Sequence, residues 1–253
     1  MGKLFDVKMV FTNIPQILVY LPVTMELAIS AMAASLVLGL LLAIIKDKKI
    51  PVLTPIVNLF ISIIRGTPVL VQLYVTYFGI PMVQKYIAMQ NGTTYNASAV
   101  PPILYAFVAL AVNQSAYNAE TFRSALQSVD KGQIEAATSL GMSGWQILTR
   151  ITLPESFAVA LPNLGNAFIA LIKGTSLAFV CAVVDMTAAG KIIGGRTYRY
   201  FEVYVSLALI YWVITIVVEQ IMKLIEKKMA IPDEVPVVQG SETAPEVQRA
   251  AAV

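Results

Sequence analysis

Five long apolar runs are the feature that most limits how this chain can fold. A helix needs about 20 mostly apolar residues to cross the hydrocarbon core of a bilayer. The runs cover residues 17–45, 54–80, 102–124, 157–184 and 203–226. Because lipid offers no partners for backbone polar groups, such runs are expected to be helical. The sequence therefore predicts an all-α polytopic membrane protein with five transmembrane helices.

The composition agrees with a chain that is surrounded by lipid. Of its 253 residues, 57% are hydrophobic and 13% are charged, whereas soluble domains usually carry about a quarter of charged residues. Histidine is absent and cysteine occurs once, which leaves little for metal or acid–base chemistry. A net charge of +3 is too small to indicate nucleic acid. We therefore expect a non-catalytic membrane protein.

Basic residues predict the orientation in the membrane, since cytoplasmic loops are enriched in Lys and Arg. Lysines follow the first and the fifth run, which places the N-terminus outside and the C-terminus in the cytoplasm. Lys191, Arg196 and Arg199 oppose this arrangement, because they fall in a connection that it places outside.

Three parts of different character follow one another along the chain. Residues 1–16 mix apolar and basic side chains and are expected to lie along the membrane surface. Residues 17–230 are expected to form the transmembrane domain. Residues 231–253 are rich in Pro, Glu and Ala, and we expect them to be a disordered tail.

The polar loop 130–154, between the third and fourth runs, carries the most specific motif. Its middle favours a short helix that stops at Gly141, since glycine is a common helix C-cap. The motif consists of Glu135-Ala136-Ala137, then Gly141, and after nine further residues Ile151-x-Leu153-Pro154. Its small side chains would let the backbone of another protein approach closely.

This spacing resembles the EAA loop of ABC importer permeases at every fixed position. The resemblance implies a type I importer permease fold, and it places Glu135, Ala136, Ala137 and Gly141 in a coupling helix that docks on an ATPase subunit. Four other stretches resemble the polar amino-acid permeases of bacterial cell membranes. They are residues 24–28, 65–72, 116–120 and 173–177.

The family resemblance also implies partners. Such permeases pair with a second copy or a paralogue, with two ATPase subunits and with an extracellular substrate-binding protein, and they move a polar L-amino acid by alternating access. ATP and Mg²⁺ would be bound by the ATPase, and no cofactor is expected on this chain. Gly190-Lys191-Ile192 has isoleucine where a phosphate-binding loop needs a hydroxyl.

Charged side chains within the apolar runs require partners or a wet cavity, since each costs about 2.5–3.5 kcal/mol on insertion scales. Glu120 and Arg123, three positions apart, are expected to neutralise each other as a structural pair. Glu26 could pair with Arg65 or with Lys173, and its role could be structural or functional.

Two segments share a cation, a glycine and hydroxyl side chains, a pattern that predicts a substrate site near the middle of the membrane. Glycine can interrupt a helix where the helix lines a cavity, and an amino-acid carboxylate seeks cations and free N–H groups. The expected substrate-binding residues are Arg65, Gly66, Thr67, Asn118, Lys173, Thr175 and Ser176. Asn113 and Gln114 could add hydrogen bonds there or could tie helices together.

Gly174 bears on the identity of the substrate. Permeases of this group that carry basic amino acids have an acidic residue at this position, so glycine leaves a cationic side chain without a counter-charge, unless Asp185 replaces it. The run from Lys173 resembles permeases for cystine and related sulfur amino acids. Cystine is therefore the expected cargo. Glutamine, glutamate or basic amino acids are alternatives, and a secondary amino-acid transporter is a more distant one.

Overall fold

The computed structural model describes residues 5–96 and 99–229, and all regular secondary structure in these ranges is helical. The helices are α1 (Val7–Leu18), α2 (Leu21–Asp47), α3 (Leu53–Gly66), α4 (Val69–Gln90), α5 (Pro102–Ser128), α6 (Lys131–Ser139), α7 (Gly144–Ile147), α8 (Leu153–Gly174), α9 (Met186–Thr197) and α10 (Tyr200–Met229). A π-helical turn, Leu148–Thr152, joins α7 to α8, and a 3₁₀ helix, Thr175–Cys181, follows α8. The predicted all-α fold is confirmed. The predicted disordered tail, 231–253, lies outside the described residues.

The number of spans differs from the prediction. By length and hydropathy, three stretches of the described chain could each cross a membrane: α2, α10 and the continuous helical segment Gly144–Cys181. Helices α3 and α4 qualify only together, and their axes differ by 108°. Helix α5 is 27 residues long but carries amides and charges that lower its hydropathy. The count is thus three, or four with the bent pair, where the apolar runs predicted five.

Helices α2 and α5 pack against each other along much of their length and form the centre of the molecule. Gly39 on α2 permits this close approach, because a Cβ there would lie 2.8 Å from the Cβ of Asn118 on α5. Lipid tails are as apolar as the helices, so helix association in a membrane depends on such close packing and on interhelical hydrogen bonds.

Helix α10 holds α1, α8 and α9 around the other side of the molecule. Gly165 on α8 packs against Met222, which would lie 2.9 Å from an added Cβ. Helix α1 is tied to α10 by the Ser206 hydroxyl, which donates to the carbonyl of Val10 at 2.8 Å. The N-terminal segment, expected along the membrane surface, is thus a helix packed on α10 from residue 7 onward. Its placement relative to the membrane stays a prediction.

Two of the three cations that oppose the predicted orientation are engaged by neighbouring side chains. The Lys191 ammonium lies 3.3 Å from the centroid of the Phe179 ring, a cation–π contact. The Arg199 guanidinium donates to Glu202 Oε1 at 3.0 Å. These contacts give both charges local partners in the connection that holds α9, while the orientation itself stays a prediction.

Candidate functional site

A cavity of about 750 Å³ lies where the α3–α4 break meets α5 and α8. Helix α5 contributes Asn113, Gln114 and Tyr117, and α8 contributes Asn163 and Asn166. Arg65 is the one charged side chain among the described lining residues. The wall is therefore rich in carboxamides and carries a single positive charge.

The break between α3 and α4 follows from Pro68. A residue that precedes proline is pushed out of the helical region, and Thr67 is extended, with φ −119° and ψ 143°. Helix α3 ends at Gly66 and α4 begins at Val69. A helix end leaves backbone groups without intrahelical partners, and in a membrane such groups are tolerated where they line a cavity.

Arg65, Gly66 and Thr67, three of the expected substrate-binding residues, line this cavity. The Arg65 guanidinium lies 5.4 Å from the centroid of the Tyr117 ring, and it is exposed. Its planar group can bind a carboxylate through two parallel hydrogen bonds. The Thr67 hydroxyl is already occupied, because it donates to the carbonyl of Ile63 at 2.9 Å.

The second segment with the same residue pattern is placed differently. Helix α8 ends at Gly174 and continues directly into the 3₁₀ helix, so the glycine does not break the chain's helical course. Gly174 lines the cavity, whereas Lys173, Thr175 and Ser176 are not among its lining residues. Thr175 is fully buried, and its hydroxyl donates to the carbonyl of Ile172 at 2.7 Å.

Asn118, also expected to bind substrate, is fully buried between α2 and α5. Its Nδ2 donates to Ser35 Oγ at 3.0 Å, and its Oδ1 accepts from Gln114 Nε2 at 3.0 Å. Asn118 therefore ties two helices together, away from the cavity lining. The exposed Glu26 forms no ion pair with Arg65 or Lys173 within the described ranges.

Glu120 and Arg123 form the ion pair that their spacing predicts, with Arg123 Nε 3.0 Å from Glu120 Oε2. Lys46, at the end of α2, also donates to Glu120 Oε1. The sequence pattern had predicted only Arg123 as a partner of Glu120, so Lys46 is a second cation. One carboxylate thus joins the end of α2 to α5.

Asp185 does not supply the acidic charge that is absent at Gly174. It is fully buried and caps α9, where its Oδ1 accepts from the backbone N–H of Ala188 at 2.9 Å. It is not among the lining residues of the cavity. Asn163 and Asn166 of α8 were missed, although two asparagines three positions apart within an apolar run are themselves a signal for a polar helix face.

The loop that carries the EAA motif is a compact, solvent-exposed unit. Helix α6 ends in a Schellman motif: Gly141 N–H donates to Thr138 O at 3.0 Å and Met142 N–H to Ala137 O at 3.1 Å. Gly141 has φ +78°, a conformation that favours glycine. Glu135 and Ala136 are exposed, whereas Ala137 is buried.

Two large apolar side chains project from this loop. Leu140 is 83% exposed and Trp145 is 71% exposed. The turn between them is fixed by a capping box, in which Ser143 Oγ accepts from Gln146 N–H and Ser143 N–H donates to Gln146 Oε1. The turn thus presents two apolar side chains to solvent, and tryptophan is among the residues enriched where proteins bind each other.

The chain is similar to known transport proteins along nearly its whole length. A family model described as "binding-protein-dependent transport system inner membrane component" matches residues 35–231. A probable amino-acid permease protein of Bacillus subtilis is 41% identical over 227 residues, which cover 90% of this chain and 97% of the relative. The L-cystine transport system permease protein of the same organism is 36% identical over 229 residues, covering 90% and 93%. The glutamine transport system permease protein of Escherichia coli is 32% identical over 227 residues, covering 90% and 99%.

Solved structures share the fold. A chain from the crystal structure of an amino acid ABC transporter with histidines is 34% identical and has a TM-score of 0.75, with 89% of this chain and all of that chain covered. A chain of an inward-facing methionine ABC transporter is 18% identical, with a TM-score of 0.64 and coverage of 82% and 93%. The second likeness bears on the fold alone.

Proposed function

The chain belongs to the family of binding-protein-dependent transport system inner membrane components and is the permease subunit of an amino-acid ABC importer, and we propose that it carries a neutral polar L-amino acid. Members of this family are non-catalytic, multi-pass membrane subunits. The family implies an ATPase partner and a binding-protein partner, so ATP and Mg²⁺ belong to the ATPase.

The charge of the cavity wall is the observation that carries the proposed substrate class. Arg65 offers a binding group for the carboxylate of the amino acid. The carboxamide oxygens of Asn113, Asn163 and Asn166 can accept from its ammonium group. Among the described lining residues there is no acidic side chain. A cationic side chain that gave up hydration there would therefore gain no counter-charge, which costs free energy.

Cystine is our first candidate and glutamine the second. The L-cystine relative supports cystine, and so does the resemblance of the segment that begins at Lys173. The glutamine relative and the carboxamide-rich wall support glutamine. We assign the carboxylate of either substrate to the Arg65 guanidinium, with Gly66 and Thr67 beside it in the cavity wall. Lys173, Thr175, Ser176 and Asn118 are left out of this site because they lie off the cavity lining.

We assign coupling to the exposed loop. Helix α6 and the turn after it, with Glu135, Ala136 and Gly141, would dock on the ATPase, and Leu140 and Trp145 of the same loop would supply apolar contacts. Closure of two ATPase subunits would then move the loop and switch the permease between inward-facing and outward-facing states. This arrangement requires a second permease, either another copy or a paralogue. It also requires the loop to be cytoplasmic, as the distribution of lysines predicts.

The test is uptake into liposomes that contain the permease, its ATPase and its binding protein. Labelled L-cystine, L-glutamine and L-arginine would be supplied in turn, with and without ATP. We expect ATP-dependent uptake of cystine or glutamine, and no uptake of arginine. ATP-dependent uptake of arginine would refute the proposed substrate class. Uptake by the permease alone, driven by an ion gradient, would instead indicate a secondary transporter.

A further inference from the structure

The side chain of Gln72 bridges the break between α3 and α4. Gln72 lies in the first turn of α4, and its amide group reaches back to the end of α3. Its Nε2 donates to Ile64 O at 2.8 Å, to Thr67 Oγ1 at 2.8 Å and to Thr67 O at 3.2 Å. The last turn of a helix leaves carbonyls without intrahelical donors. Gln72 therefore satisfies backbone groups that the break has freed.

The oxygen of the same amide binds α5. Asn113 Nδ2 donates to Gln72 Oε1 at 3.0 Å, and Asn113 lines the cavity. A glutamine amide offers two donor hydrogens and one acceptor oxygen, and both functions are in use here. Three helices therefore meet at one side chain that is able to donate and to accept at the same time.

The hydrogen bonds of Gln72 hold the chain at a point where packing is open on one side. A Cβ added at Gly66 would meet no atom within 4 Å, so little surrounds this part of the chain. Gln72 fixes Ile64 on one side of Arg65 and Thr67 on the other side. These bonds add to the backbone hydrogen bonds of α3 in fixing its last turn, which carries Arg65.

We propose that Gln72 is a positioning residue of the substrate cavity. By fixing the chain on both sides of Arg65, it holds the guanidinium where the carboxylate of the amino acid binds. Gln72 itself is not among the lining residues of the cavity, so its effect passes through Arg65. The inference rests on the proposed function, because it requires Arg65 to bind the substrate.

The experiment measures equilibrium binding of the labelled amino acid to the purified permease–ATPase complex in nanodiscs. The binding protein is omitted, because its own affinity would mask that of the cavity. The probe is L-cystine or L-glutamine, whichever shows ATP-dependent uptake. The variants are Gln72→Met, Arg65→Gln and the double variant, and Gln84→Met on the same helix is the matched control. Assembly of each complex is checked by size-exclusion chromatography.

We expect Gln72→Met to weaken binding at least about ten-fold, the loss that follows when a hydrogen bond to a charged group is misaligned. Gln84→Met should stay within about two-fold of the unaltered protein. The double variant should bind no more weakly than Arg65→Gln alone, because two changes that act through one contact are not additive.

The outcomes separate this inference from the proposed function. If Arg65→Gln weakens binding and Gln72→Met does not, the positioning role is wrong and the cavity keeps its assignment. Additive losses in the double variant would also overturn the positioning role. If Arg65→Gln leaves binding unchanged, the assignment of the cavity fails and the positioning role falls with it. Should Gln72→Met not assemble, Gln72→Asn replaces it with the same expectation, since its shorter side chain cannot reach both α3 and α5.

Discussion

Replacing Gly174 by aspartate should admit basic amino acids to the cavity. Gly174 lines the same cavity as Arg65, and a Cβ added there would meet no atom within 4 Å. Its backbone is right-handed helical, with φ −64° and ψ −27°, so a side chain introduces no conformational strain. Lys173 is the adjacent residue on the helix, and neighbouring positions do not face each other. The new carboxylate therefore has room to meet a substrate cation.

The magnitude follows from the value of one charged hydrogen bond. Such a bond contributes about 1.5–3 kcal/mol, and each 1.4 kcal/mol changes Kd about ten-fold. We therefore expect L-arginine to bind about 10- to 100-fold more tightly to Gly174→Asp than to Gly174→Asn, which has the same size without the charge. The assay is equilibrium binding to the permease–ATPase complex, and competition against ATP-dependent uptake gives a second measure.

Two results would refute this reasoning. Equal affinity of the two variants for L-arginine would mean that residue 174 does not face the substrate side chain. A loss of affinity for neutral and basic amino acids alike would mean that the new carboxylate pairs with Arg65 and blocks the carboxylate site.

Three further predictions concern coupling and packing. Gly141→Val should strain the left-handed turn by about 1–2 kcal/mol and should abolish stimulation of the ATPase by loaded binding protein; retained stimulation would contradict a coupling role. Trp145→Ala should leave the melting temperature unchanged and weaken the affinity of the permease for the ATPase at least about 30-fold, as loss of an interface hot spot does. If the variant co-purifies with the ATPase as the unaltered protein does across an ATPase titration, Trp145 is not a hot spot of this interface. Gly39→Ala should lower the free energy of unfolding by about 1–3 kcal/mol through overpacking against Asn118, and thermal unfolding measures this loss. Gly66→Ala is the control, because a Cβ at Gly66 meets no neighbouring atom.

The sequence predicts structure correctly where interactions between neighbouring residues determine it. The end of α6 is an example, because a glycine that follows a short helix-forming run adopts the positive φ of a C-cap. The two segments with a cation, a glycine and hydroxyls show the opposite. Pro68 breaks the chain after Gly66, whereas no proline follows Gly174 and the helix continues as a 3₁₀ helix. Two segments with similar residues thus adopt different backbone structures.

Contacts between distant parts of the chain could not be predicted. The bridge from Gln72 to Asn113 joins residues 41 positions apart, and no local pattern identifies it. The role of Asn118 depended on which face of α5 meets α2. Helix α5 does not qualify as a span by hydropathy because it carries polar residues, several of which face the cavity and other helices.

The exposed side chains of Leu140 and Trp145 bear on how long the subunit persists in the cell before it is assembled. A permease without its ATPase would present both side chains on an exposed turn, where chaperones and proteases that recognise apolar residues can bind them. Binding of the ATPase at this loop would cover both side chains. We therefore expect the amount of permease in the cell to follow the supply of ATPase.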